Sequence, residues 1–108
     1  MRHPRSRFQA LFTPRSVAVV GASTRPDSVG RAIFANVLLH GYTGIVYPVN
    51  PKASSILAVK TYPSVLEIPD EVDLAVIVVP SGAIPAVLEE CGQRGVQAGV
   101  IDARIFIS

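Results

Sequence analysis

The chain alternates between short apolar runs and longer mixed segments. Residues 16–20, 44–49, 73–80 and 96–101 are rich in β-branched and other apolar residues with few polar interruptions. Such runs fit parallel strands covered on both faces, because neither face of the strand meets water. The third is the clearest: six consecutive apolar residues follow Asp73 and precede Pro80. Between the first two runs, Val29, Ala32, Ile33, Asn36, Val37 and Leu39-His40 recur about three and four apart. This spacing predicts a helix over residues 28–40 with one buried stripe. Asp27 or Ser28 can cap its start, and Gly41 can close it in the left-handed conformation. A second helix is predicted over 83–94, with Pro85 tolerated in its first turn and Gly95 as its stop. Val87, Leu88 and Cys91 would face inward, and Glu89, Glu90, Gln93 and Arg94 outward.

The remaining segments are read more coarsely. Residues 1–8 read as a basic arm that is disordered or loosely docked, and 8–12 as a helical turn laying its aromatics on the sheet edge. Thr13-Pro14 marks a turn. Pro48 removes a ladder donor, so the second strand stops there or lies at an edge. Residues 53–57 are expected to form a turn of helix, 58–62 an extended piece, and 64–67 a helical turn capped by Ser64 and stopped by Pro69. The short return from the first helix to the second strand favours parallel pairing through a right-handed crossover. The order β-α-β, short elements, β-α-β describes an α/β fold: a Rossmann-like parallel sheet with flanking helices. The tail 102–108 stays apolar but places Asp102 and Arg104 where strand should pass into loop. The sheet is therefore expected to be incomplete at the C-terminus, as in a truncated domain. Residues 1–11 are assigned to the arm and 12–108 to the domain.

Composition narrows the function classes. With 49% hydrophobic and 17% charged residues, the 108-residue chain should form one packed globule. The net charge is +2, yet three of the ten basic residues lie among the first seven positions. The body is thus near neutral, which argues against a nucleic-acid binder. The single Cys91 excludes an internal disulfide and reads as a buried thiol in a helix. No apolar run reaches the ~18–20 residues of a membrane span, and no apolar signal core follows the basic start. A cytoplasmic protein is the default expectation. His3 and His40 lack a second metal-type ligand at useful spacing. Neither paired carboxylates nor a nucleophile elbow is present, so no catalytic constellation is read.

Candidate chemistry lies in the loops. A strand, then Gly21, then Gly30 within the first turns of a helix is a layout that offers backbone N–H groups to a phosphate. Three loops, 21–30, 49–52 and 79–82, are predicted at one edge of the sheet. Gly21 and Gly30 are too far apart for G-x-G-x-x-G. An acidic residue to hold a ribose diol is also missing after the second strand, where Asn50-Pro51-Lys52 stands instead. A lysine there favours an extra phosphate, which the adenosine ribose of coenzyme A (CoA) and that of NADP both carry. Plainer readings stand beside these. Lys52 can be a solvated surface lysine, Ser23 a turn residue bonding its own backbone, and Gly21 and Gly30 packing positions.

Val17-Ala-Val-Val-Gly-Ala-Ser23, Ser28-Val-Gly30, Val46-Tyr-Pro-Val-Asn-Pro-Lys52, Tyr62-Pro-Ser64 and Val72-Asp-Leu-Ala-Val-Ile-Val-Val-Pro80 together resemble the N-terminal CoA-binding domain of NDP-forming acyl-CoA synthetases. These are the ADP-forming acetate–CoA ligase type, similar to the succinyl-CoA synthetase α chain. The resemblance runs from about residue 12 to 101. It implies that Gly21, Ala22, Ser23, Thr24, Arg25 and Gly30 wrap the phosphates and the start of the pantetheine. It further implies that Lys52 meets the adenosine-side phosphate and that Pro80 and Ser81 line the nucleotide. The family's fourth strand ends in a small-residue turn that touches the pantetheine; here Arg104 replaces its glycine. The family's catalytic histidine and ATP-grasp module lie in later domains, so ligase and ATP-grasp domains or subunits are the implied partners. The chain would bind CoA without turnover by itself. The same domain opens a class of protein acetyltransferases with a GNAT domain, and an NAD(P)-binding module is the remaining alternative.

Overall fold

A computed structural model describes residues 6–102 and 104–107. Helix α1 (Arg7–Phe12) leads into strand β1 (Ser16–Val20), helix α2 (Val29–Leu39) and strand β2 (Ile45–Val49). Short strands β3 (Ser55–Ile56) and β4 (Val59–Lys60) follow, then a 3-10 turn at Val65–Glu67 and strand β5 (Leu74–Ile77). A second 3-10 turn, Ser81–Ala83, enters helix α3 (Ile84–Arg94), and strands β6 (Ala98–Ile101) and β7 (Arg104–Ile107) end the described chain. The main sheet runs β2-β1-β5-β6-β7. The first four strands are mutually parallel, and β7 is antiparallel to β6. The α/β reading holds. No described helix is long and apolar enough to cross a membrane.

Two apolar layers account for the apolar runs. Val17 and Val19 of β1 pack with Phe34, Val46 and Ile56 on the α2 face. Ala18 and Val20 pack with Tyr47, Ile77 and Cys91 on the α3 face. Strand β1 is therefore buried throughout. Strand β5 is not: Ala75 and Ile77 are buried, whereas Leu74 and Val76, on the α2 side, are half-buried. Strand β2 is an edge, as Pro48 suggested. The Pro48 carbonyl accepts from Tyr62 N–H at 3.0 Å on the side away from β1, so the missing N–H costs no bond to β1.

Several local expectations are corrected. Residues 53–57 do not form a helical turn. β3 and β4 pair antiparallel across Leu57 and Ala58, whose φ values of 49° and 64° make a tight hairpin turn. The buried face of α2 is shifted by one position: Gly30 and Phe34 are buried, while Val29 and Leu39 are exposed. The helix rolls to set Gly30 against Gly21, and Phe34 follows four residues on. Ser28 is its cap, accepting from Arg31 N–H at 3.1 Å, and Gly41 has φ +89°. In α1 the buried residue is Ala10, and Phe8 and Phe12 are exposed; a capping box between Ser6 and Gln9 starts the turn, which packs against β6. His3 lies outside the described residues.

Helix α3 keeps Cys91 inward, but Leu88 is exposed. Glu90 and Arg94 are half-buried rather than free in water, since both are tied down. Glu90 accepts from the Ser64 hydroxyl at 2.7 Å, and Arg94 donates to the Ile68 and Asp70 carbonyls. The tail is a hairpin: Asp102, at φ 50°, turns the chain so that Arg104 pairs with Ile101.

Burial, with the Glu90 carboxylate adding to it, pushes the Cys91 thiol up from 9.0 to about 11. Below pH 9 the thiol is protonated in both folded and unfolded chains. Between 9 and about 11 the unfolded chain sheds a proton that the fold retains, so stability falls as pH rises through that window. Urea melts should show a loss of roughly 2–3 kcal/mol across it that is absent in Cys91→Ala. An equal pH slope in both proteins would clear Cys91 of that role.

Candidate functional site

The first two parallel units leave β1 and β5 as neighbours whose chains depart to opposite faces, β1 into α2 and β5 into α3. That divergence opens a crevice at the carboxyl ends of the strands, the place where ligands bind in open α/β sheets. Three loops meet there. Gly21 N–H donates to the Val49 carbonyl at 3.0 Å, tying the ends of β1 and β2. Val78 N–H donates to the Val20 carbonyl at 2.7 Å, tying β5 to β1. The Asn50 side-chain amide donates to the Ala22 carbonyl at 2.8 Å, and its oxygen accepts from Lys52 N–H at 2.7 Å. The predicted convergence of 21–30, 49–52 and 79–82 is therefore observed.

The turn after β1 is built by close backbone approach. Gly21 has φ +101°, and a Cβ there would overlap the Val78 carbonyl oxygen. A Cβ on Gly30 would overlap the Gly21 carbonyl oxygen. Both glycines thus serve packing, and through it they draw the start of α2 against the strand ends. Ala22 is fully buried beneath the loop. Ser23 behaves as a turn residue, its oxygen accepting from Arg25 N–H at 3.1 Å. That bond leaves the hydroxyl proton available. Ser28 donates to the Arg25 carbonyl at 2.9 Å, and Arg31 donates to the Thr24 carbonyl at 3.2 Å. These contacts hold the loop from the helix side. Among the described residues, no acceptor is found for the N–H groups of Ser23, Thr24 and Val29.

Lys52 is exposed, and no partner for its ammonium occurs among the described residues. Its backbone is fastened through Asn50 to the loop that holds Ser23. Pro80 and Ser81 are exposed on the opposite side of the crevice, where the Pro80 carbonyl accepts from Ala83 N–H at 2.9 Å to start the 3-10 turn. Past α3, an open apolar groove of about 420 Å³ lies between that helix and the β6–β7 hairpin, lined in part by Ile84, Leu88, Phe106 and Arg104. The described residues contain no group of His, Cys, Asp and Glu suited to a metal ion. Sequence reasoning missed Asn50 as a tie between loops. Its position after the second strand was visible, but its two bonds depend on a neighbour 28 residues away.

The fold and crevice define a mononucleotide-binding α/β unit with a glycine turn in place of a full dinucleotide fingerprint. A model of the CoA binding domain matches residues 15–106, and the chain belongs to that family. It is 57% identical over 94 residues to the α subunit of acetate–CoA ligase (ADP-forming) I from Pyrococcus furiosus, covering 83% of this chain and 20% of the relative. Among solved structures, the apo dinucleotide-forming acetyl-coenzyme A synthetase 1 of Ca. Korarchaeum cryptofilum superposes with a TM-score of 0.86 at 43% identity, over 92% of this chain and 22% of that one. A conserved hypothetical protein of Pyrococcus furiosus gives a TM-score of 0.75 at 36% identity, over 83% of this chain and 78% of its own. The chain thus spans about a fifth of the length of the ADP-forming ligase subunit that it matches.

Proposed function

We propose that this chain binds CoA in the crevice between β1 and β5 and serves as the CoA-binding domain of an ADP-forming acyl-CoA ligase. The observation that carries the reading is the triple tie of Gly21, Val78 and Asn50, which gathers three loops into one rim. In this reading the N–H groups of Ser23 and Thr24 and the first turn of α2 receive the pyrophosphate, helped by the partial positive charge of the helix start. The Ser23 hydroxyl adds a donor, and Arg25 a mobile cation. Lys52 pairs with the phosphate on the adenosine ribose, and Pro80 and Ser81 line the nucleotide. The pantetheine arm runs toward the end of β6, where Arg104 stands in place of the family's glycine. The domain holds and orients the thiol-bearing cofactor. Acyl activation belongs to ligase and ATP-grasp partners, as the multidomain relatives suggest.

Titration calorimetry tests this. CoA is expected to bind saturably, and Lys52→Ala to weaken it about tenfold, the worth of a charge-assisted hydrogen bond to phosphate. The affinity for 3′-dephospho-CoA should change less than about twofold in the same variant, since it lacks the group Lys52 would hold. Equal binding of the two ligands by the parent protein would remove the role given to Lys52. Tighter binding of NADPH than of CoA would replace the reading altogether.

A further inference from the structure

We infer that Asn50 is the residue that selects a ribose bearing a phosphate over one with a free diol, by positioning Lys52 and by withholding its own side chain. The inference rests on the CoA reading above. Asn50 stands at the end of the second parallel strand, where dinucleotide-binding units carry an acid that accepts from the ribose hydroxyls. Here that position holds an amide already committed in both directions. Its NH₂ donates to the Ala22 carbonyl at 2.8 Å and its oxygen accepts from Lys52 N–H at 2.7 Å. Its own backbone is fixed as well, with Asn50 N–H donating to the Tyr62 carbonyl at 2.9 Å and Gly21 N–H bonded to the preceding Val49 carbonyl at 3.0 Å. The side chain is half-buried between two loops and cannot swing toward a sugar without breaking both bonds.

The chemistry of the pair of bonds explains why an amide stands there. The Ala22 carbonyl requires a donor and the Lys52 N–H requires an acceptor; asparagine offers the two from separate atoms of one short side chain. A carboxylate would keep the second bond but set an oxygen against the Ala22 carbonyl. It would then be free to accept from a ribose diol, and would place a negative charge beside any phosphate held by Lys52. The amide therefore does two jobs. It fastens the lysine-bearing turn to the loop that would hold the pyrophosphate, so that one ligand can meet both. It also sets a neutral amide where a diol would otherwise meet a charged acceptor.

The test compares the parent chain with Asn50→Asp and Asn50→Ala in titrations with CoA and 3′-dephospho-CoA, alongside thermal melts. The readout is the ratio of the two dissociation constants, which a general loss of folded protein would leave unchanged because both ligands would weaken together. The parent should prefer CoA by about tenfold. In Asn50→Asp the ratio should fall to about one or invert, as phosphate is repelled and the diol gains a partner. In Asn50→Ala it should fall to within about threefold of one, with Lys52 no longer held in place. Should the aspartate variant fail to fold, the alanine variant carries the test. A preference near tenfold in folded variants would overturn the role of Asn50 while leaving CoA binding intact. Failure of the parent itself to bind CoA would overturn the reading beneath it.

Discussion

Replacing Gly30 by alanine is expected to destabilise the fold by about 3 kcal/mol and to abolish saturable CoA binding. The added methyl would overlap the Gly21 carbonyl oxygen, a backbone atom that no rotamer change can move. Gly21 cannot yield either, because its φ of +101° is a left-handed conformation and its own open side faces the Val78 carbonyl. Three backbone segments are thus stacked with no side chain between them. The helix would have to retreat, carrying Ser28 and its cap away from the crevice. Gly92 is the control, since it lies in α3 and a methyl added there would meet nothing within 4 Å. Gly92→Ala should stabilise by about 0.5–1 kcal/mol through helix propensity alone. Urea denaturation separates the two, and a Gly30→Ala result resembling that of Gly92→Ala would refute the close approach.

Phe34→Ala should cost about 4 kcal/mol and lower Tm by roughly 20 °C. Phe34 has no exposed surface and fills the layer between α2 and the sheet, against the cluster of Val17, Val19, Val46 and Ile56. A domain of this size has a total stability of roughly 5–15 kcal/mol, so the loss would leave a marginal fold. The same substitution at Phe8 or Phe12, which are 65% and 72% exposed, should stay within about 0.5 kcal/mol. Thermal melts of the three variants decide the matter. A Phe12→Ala melt falling as far as that of Phe34→Ala would reinstate the aromatics of α1 as core residues.

What the sequence made legible was the part governed by local rules. The apolar runs marked β1, β2, β5 and β6, Ser28 and Gly41 bounded α2, and Gly95 ended α3 at φ +80°. Pro48 correctly announced an edge. The β3–β4 hairpin was hidden because its turn residues, Leu57 and Ala58, adopt positive φ without the glycine or asparagine that normally signals it. The rotation of α2 was hidden because the Gly21–Gly30 approach, rather than the hydrophobic stripe alone, decides which side faces the sheet. The reversal at Asp102 was equally silent. For the candidate site, the meeting of three loops followed from parallel topology. The bonds that lock them are tertiary, and Asn50 to Ala22 is the plainest case.

The crossover from β1 to β5 carries α2, β2, the β3–β4 hairpin and a 3-10 turn. As a result, Ser16 and Asp73, joined at 3.0 Å at the base of that seam, stand 57 positions apart along the chain. Closing so long a loop carries an entropic cost before any contact repays it, whereas a β6–β7-type hairpin closes in about 1–10 μs. On this account the crevice seam is assembled late in folding, and the tail hairpin early. A ribosome-bound chain that has not yet emerged through Ile77 would lack the β5 wall of the proposed CoA crevice.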